Sequence, residues 1–178
     1  MADKLEVVVG VDPGKSGFLC IMPLSSTIPI RFCPTPVIKS AKGGKAQYDL
    51  ATLANTLFRL SDACDIRLVA IEKQQAYPGQ GGASNFSTGY GYGILMMGFA
   101  MLKIPIASPH PRTWQAEMLR DIPGEDTKLR SVLAAGRLFP LADLRASERS
   151  KKPSHDKADS LLLALWARRQ LVPALVIP

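Results

Sequence analysis

Four acids in this 178-residue chain stand where carboxylates can do chemistry: Asp12, Glu72, Asp156 and Asp159. Asp12 ends the run Val7-Val8-Val9-Gly10-Val11 and is followed at once by Pro13 and Gly14. Such a β-branched run reads as a strand buried on both faces, and Pro-Gly breaks it into a tight turn where backbone can approach a phosphate. Glu72 closes a second run, Ile66-Arg67-Leu68-Val69-Ala70-Ile71. Asp156 and Asp159 lie three apart in the first turn of a final helix, so they share one face, and the helix N-terminus stabilises carboxylates there. Singly, each acid has a plain reading as a turn cap, a strand end or a helix N-terminal acid. Asp159, however, precedes an apolar run, an expensive place for an unpaired charge. If the four converge, their repulsion raises their pKa values unless cations compensate, and an all-oxygen donor set selects hard divalent ions such as Mg²⁺ or Mn²⁺. Two such ions, about 3.5–4 Å apart, activate water and stabilise the leaving oxygen in phosphodiester cleavage.

The charge balance suits that chemistry. The chain carries a net charge of +7, which favours polyanionic partners. Arg145, Arg149, Lys151, Lys152 and Lys157 crowd the approach to the last helix, and Lys15 follows the Asp-Pro-Gly turn. Lys39, Lys42 and Lys45 lie in a Pro-, Gly- and Lys-rich loop, where phosphate contact and a plain solvated loop are equally open. A content of 47% hydrophobic and 21% charged residues is that of a soluble globular protein, and the length suits one domain over 1–178. No apolar run is long enough to span a bilayer, so no membrane partner is expected. A core strand this close to the start leaves no room for a secretory signal. Cys20, Cys33 and Cys64 are odd in number and widely spaced, and His110 and His155 are the only histidines. No zinc pattern results, and the cysteines read as reduced, structural thiols in a cytoplasmic protein.

The elements that must position the acids follow from apolar periodicity. The first strand and a second over 18–22 form a hairpin, and a third extended segment over about 28–33 completes a meander. Residues 34–46 read as a loop. Leu50, Leu53, Ala54, Leu57 and Leu60 mark an amphipathic helix over 48–61. The Glu72 strand follows, then a polar, glycine-rich stretch over 73–88 that reads as a mobile loop beside the site. A long helix over 84–102 carries Gly89, Gly91, Gly93 and Gly98 among aromatics and methionines. Glycines cost helix stability, so they predict close packing against the core sheet or a second subunit. A short strand over 104–107, a helix to 119 with Trp114 packed, and a helix over 126–139 capped by Asp126 come next. Residues 141–152 are charged and irregular. The last helix starts at Ser154 or His155, with Ala158, Leu161, Leu162, Leu165 and Trp166 as its apolar stripe.

Three stretches carry a family resemblance: Val-Gly-Val-Asp-Pro-Gly at the start, Val-Ala-Ile-Glu-Lys-Gln in the middle, and His-Asp-Lys-Ala-Asp-Ser-Leu-Leu-Leu-Ala near the end. In this order and spacing the chain resembles the RuvC family of Holliday-junction resolvases, within the RNase H-like superfamily. The resemblance implies an α/β fold with a mixed five-stranded sheet flanked by helices, in the element order β-β-β-α-β-α-β-α. It implies a homodimer that nicks four-way DNA junctions symmetrically, leaving 5′-phosphate and 3′-hydroxyl ends, with two Mg²⁺ per subunit and Mn²⁺ as a substitute. Carried over by residue, Asp12 would bridge both ions, Glu72 would hold one, and Asp159 with Asp156 the other. Lys128 would be the basic contact near the scissile phosphate. Lys15, Gln75, Tyr77, Lys151 and Lys152 would meet DNA. His155 beside the acids fits a helix-start role, with assistance to metal or leaving group as the alternative. The chain departs from the best-known bacterial members at Gln75, where they place a junction-wedging aromatic three residues after the glutamate. Its nearest aromatic is Tyr77, in a longer glycine-rich loop. That loop and the glycine-aromatic helix look closer to phage or organellar members. The expected setting is the cytoplasm, at the nucleoid or in a phage-infected cell, or an organelle if a transit peptide has been removed.

Three other readings remain to be separated. An RNase H-like nuclease on RNA or RNA–DNA hybrids would use the same acids. A non-catalytic junction-binding protein would gain nothing from clustered negative charge facing DNA. An actin-like phosphotransferase also has an Asp-x-Gly turn, but needs two lobes and more chain than this.

Overall fold

Successive side chains of a strand point to opposite faces, and in β1 (Leu5–Val11) both faces are covered. Val8 packs with residues of the C-terminal helices, while Val7, Val9 and Val11 pack with the two earlier ones. All four valines are fully buried. Burial on this scale contributes about 1.5–3 kcal/mol per side chain, so β1 is the spine of the molecule. The computed structural model describes residues 4–25, 27–39, 44–76, 79 and 81–171.

β1 pairs antiparallel with β2 (Phe18–Pro23), which pairs antiparallel with β3 (Arg31–Pro34). On its other side β1 pairs parallel with β6 (Cys64–Ile71), and β6 with β7 (Ile106–Ala107). The sheet order is β3-β2-β1-β6-β7, the mixed five-stranded sheet that the resemblance implies. α1 (Leu50–Ala63) and α2 (Gly82–Met101) cover one face; α3 (Pro111–Met118), α4 (Thr127–Leu138) and α5 (His155–Leu171) cover the other. Two buried clusters result, one on each side of the sheet. Among the described residues, no helix is long and apolar enough to cross a membrane. The three cysteines are free.

Several boundaries differ from the sequence expectation. The third strand is Arg31–Pro34 rather than 28–33. The stretch expected as loop holds a two-stranded ribbon, β4 (Val37–Ile38) and β5 (Gln47–Tyr48). Tyr48 therefore ends a strand, and α1 begins after Asp49, whose carboxylate accepts from Thr52 N at 3.0 Å and Thr52 Oγ1 at 2.7 Å. A side-chain acceptor at the N-cap fixes a helix start better than apolar spacing does. Helical structure begins at Gly82, inside the stretch expected as loop. α5 shows no narrow apolar stripe: Leu161 to Leu165 are all buried, because the helix is enclosed by the sheet and by α4.

Two glycines explain how the elements come close. A Cβ on Gly10 would strike the α5 backbone at Ser160 and Ala164, so α5 crosses β1 at the one position without a side chain. A Cβ on Gly17 would strike the Asp12 carbonyl, which keeps the 12–17 turn tight. The α2 glycines divide. Gly91 receives the Tyr48 ring and Gly98 the Leu57 side chain, whereas Gly89 and Gly93 face open space. The expected close packing is thus against side chains, at two of the four positions.

Candidate active site

Parallel pairing places two acids side by side. Val11 and Ile71 are register partners at the carboxyl ends of β1 and β6. Asp12 and Glu72, the next residues, leave the sheet together, and Glu72 N donates to Val11 O at 3.2 Å. The Gly10 crossing lays α5 on the same strand, so the first turn of that helix brings Asp156 and Asp159 to the same edge.

The electrostatics show how close the four are. Burial pushes Asp12 well above the usual carboxylate range, and the charges of Asp159, Asp156 and Glu72 push it further. Asp156, within hydrogen-bonding reach of Asp12, adds to the same rise. Burial, with smaller contributions from Glu72 and Asp156, lifts Asp159 to about 7, against the pull of Ser131 and Lys128. Glu72 is raised by burial, although its hydrogen bonds to Trp114 and Gln74 oppose the rise. Burial leads each of these shifts, and mutual repulsion between carboxylates adds to those of Asp12 and Asp159.

Glu72 is the most tightly held of the four. The fully buried Trp114 donates from Nε1 to Glu72 Oε1 at 3.0 Å, and Gln74 Nε2 donates to Oε2 at 3.0 Å. Each oxygen thus has one protein donor and one direction left open. Asp159 differs: Ser131 Oγ is near enough to lower its pKa but makes no hydrogen bond of good geometry, so neither Ser131 Oγ nor the buried Asp159 Oδ1 has a hydrogen-bond partner among the described residues. A buried carboxylate oxygen left this way is costly unless something else satisfies it.

The residues fit a divalent cation by this test. The donor set is all oxygen, burial first and neighbouring carboxylates second hold Asp12 and Asp159 above the usual carboxylate range, and one buried oxygen is orphaned. Among the described residues, no three acidic, histidine or cysteine side chains already close on one point as a metal cage. Two of the four, Asp12 and Glu72, instead line a cleft of about 250 Å³ together with Lys15, Tyr48, Gln74 and Thr88. A larger hollow, about 1050 Å³, opens at the other end of the strands. It holds none of these acids, and its Arg67 is paired with Glu6 and Asp65.

The other expected site residues separate. Lys128 sits in the first turn of α4, beyond the Asp126 cap, and its charge reaches Asp159. Lys15 lies 5.6 Å above the Tyr48 ring, at the cleft wall. Gln75 does not project as a wedge. It meets His110 Nε2 at 3.3 Å, and because His110 Nδ1 accepts from Arg112 N, neutral His110 donates to Gln75. Lys151 and Lys152 are exposed on the bend before α5 and are not among the cleft-lining residues. Tyr77 lies outside the described residues, as does Lys42. His155 Nδ1 lies 2.9 Å from Asp156 Oδ1 at the start of α5. Sequence reasoning missed three residues. Trp114 was legible only as core, Gln74 only as loop, and Tyr48 only as a helix start.

No protein-family model matches the sequence, and no curated protein matches it. Solved structures do. RuvC from T. thermophilus in complex with a Holliday junction substrate matches with a TM-score of 0.59 at 20% identity, covering 89% of this chain and 90% of that one. A second Thermus thermophilus RuvC structure matches at 0.53 and 20% identity, over 89% and 91% of the two chains. The yeast mitochondrial Holliday junction resolvase Ydc2 matches at 0.57 and 17% identity, over 95% of this chain and 80% of that one.

The chain has the RuvC fold. The organellar likeness expected from the glycine-aromatic helix is consistent with the Ydc2 match. Within the RuvC fold, the candidate site lies where the two central parallel strands end against the N-terminus of the last helix.

Proposed function

We propose that this protein is a metal-dependent endonuclease that resolves four-way DNA junctions by paired symmetrical nicks. The observation that carries the proposal is the coupling of Asp12, Glu72, Asp156 and Asp159 at one edge of a RuvC-fold sheet. Asp12, Glu72, Asp156 and Asp159 would hold two Mg²⁺, with Mn²⁺ as a substitute. Ions bound there supply Lewis-acid stabilisation of the phosphoryl and leaving oxygens.

The protein's own groups do the rest. Trp114 and Gln74 hold the Glu72 carboxylate in place at the cleft wall. Such fixation by supporting hydrogen bonds holds ligands in productive geometry. Lys128 offsets charge at Asp159 and stands ready for a phosphate on the α4 side. Lys15 does so on the Tyr48 side. The basic surface draws the DNA backbone.

Two nicks need two sites, and a two-fold dimer presents them to strands of opposite polarity. We assign the subunit contact to the far part of α2. Met97 and Met101 are exposed there, on the face that carries the open Gly93.

The experiment is cleavage of a labelled immobile four-way junction, an RNA–DNA hybrid and a plain duplex, each with Mg²⁺ or EDTA. The expected result is paired nicks in the junction alone, and only with Mg²⁺. Preferential cleavage of the hybrid would move the protein to the ribonucleases. Tight junction binding without nicks in Mg²⁺ or Mn²⁺ would make it a junction-binding protein.

A further inference from the structure

The cleft continues past the carboxylates. Beyond Lys15, Tyr48 and Ser87, which both hollows share, a trough of about 660 Å³ runs between β5 and the first turns of α2. Its walls are aromatic. Phe86 and Tyr90 lie one turn apart on α2 with rings stacked 6.2 Å apart and 15° from parallel. Tyr90 in turn tilts against Tyr48 at 5.8 Å. Phe86 is 75% exposed and Tyr90 41%, so both rings are open to solvent. Lys15 and Lys45 line the trough, and no acid does among the described residues.

Two exposed aromatic rings, Phe86 and Tyr90, backed by the buried Tyr48, form an apolar patch of the kind that marks a binding site. Flat π-faces take a nucleobase regardless of its identity, and flanking cations take the strand that carries it. An acidic or purely apolar partner explains only half of these features. The trough also opens directly into the cleft proposed to hold the scissile phosphate.

We propose that this trough is a stacking site for an unpaired base adjacent to the phosphate at the carboxylates. The proposal rests on the reading of the protein as a DNA nuclease and adds how strand distortion is held open in a chain with Gln75 in the wedge position. Phe86 and Tyr90 sit at the cleft end of α2. Met97 is eleven positions beyond Phe86 and seven beyond Tyr90, about 16 and 10 Å at 1.5 Å per residue, so the base and the second subunit use different stretches of one helix.

The test uses the full chain in EDTA with two probes of equal length: a single strand carrying 2-aminopurine, and a blunt duplex. Phe86→Ala and Tyr90→Ala are expected to weaken single-strand binding by about 5- to 150-fold, the range for losing one stacked base, and duplex binding by less than about twofold. Quenching of 2-aminopurine should be lost with the affinity, and Phe86→Trp should restore both. Equal losses on both probes, or no loss, would overturn the proposal. So would loss that tracks dissociation to monomers in sedimentation, which would assign these rings to the subunit contact. Junction nicking by the unmodified protein, measured alongside, keeps the two claims apart. Absent nicking with a selective single-strand defect would overturn the nuclease reading and support the stacking site. Normal nicking with unaltered Phe86→Ala binding would overturn the stacking site alone.

Discussion

At the residue scale, the support of Glu72 is more informative than its charge. Trp114 serves both the core and the site, and its N–H has one evident purpose. Trp114→Phe keeps most of the packing and removes the donor. It should weaken Mg²⁺ binding, read by titration calorimetry, by about 10–100-fold, as loss of a supporting hydrogen bond does elsewhere. The fold should stay intact by circular dichroism. Unchanged affinity would make Trp114 a core residue only. The raised carboxyls predict a pH effect of definite sign. Asp12, Glu72 and Asp159 keep their protons in the folded chain at pH values where the unfolded chain has lost them. Between the ordinary aspartate value of 3.8 and the Asp159 value of about 7, the folded state therefore binds more protons, and stability falls as pH rises. The Tm of the metal-free protein should drop from pH 5 to pH 7. Asp159→Asn should flatten that drop, and Mg²⁺ should raise Tm most at the upper end. A metal-free Tm that climbs across this window would contradict the burial of these acids.

At the scale of elements, the site depends on one crossing. Gly10→Ala puts a methyl group against the α5 backbone at Ser160 and Ala164, where no flexible side chain can give way. Overpacking of this kind costs about 1–3 kcal/mol, visible as a lower denaturation midpoint. Because α5 carries Asp156 and Asp159, nuclease activity should fall further than the folded fraction does. Loss matched to the folded fraction would mean that α5 can shift without disturbing the acids. The same crossing shows what could be read beforehand. The valine run, Pro13-Gly14 and the acid at each strand end are local signals, and they led to the strands, the meander and the four acids. The parallel pairing of β1 with β6 is non-local, but two buried runs separated by a helix imply it. Trp114 and Tyr48 were not legible. Their roles arise from contacts distant in sequence, Trp114 with Glu72 and Tyr48 with Gly91 and Tyr90 of α2, and an indole N–H on a short helix gives no local sign of a partner. The β4–β5 ribbon escaped because two-residue strands have no period to detect.

At the scale of the whole molecule, the fold joins a basic exterior to an acidic cleft. The net charge of +7 draws a polyanion, yet the four carboxylates repel it at the point where it must bind. Only a group that needs that negative charge reconciles the two. Asp12→Asn resolves this conflict in the opposite way, removing charge while keeping shape, and is therefore the most direct test of the central claim. Wild type and Asp12→Asn are compared on a labelled four-way junction, with cleavage measured in Mg²⁺ and binding measured in EDTA. The account predicts that the variant binds as tightly as wild type or tighter and makes no nicks. Near-normal nicking by Asp12→Asn would contradict it, because the carboxylate at the end of β1 would then hold nothing the reaction needs.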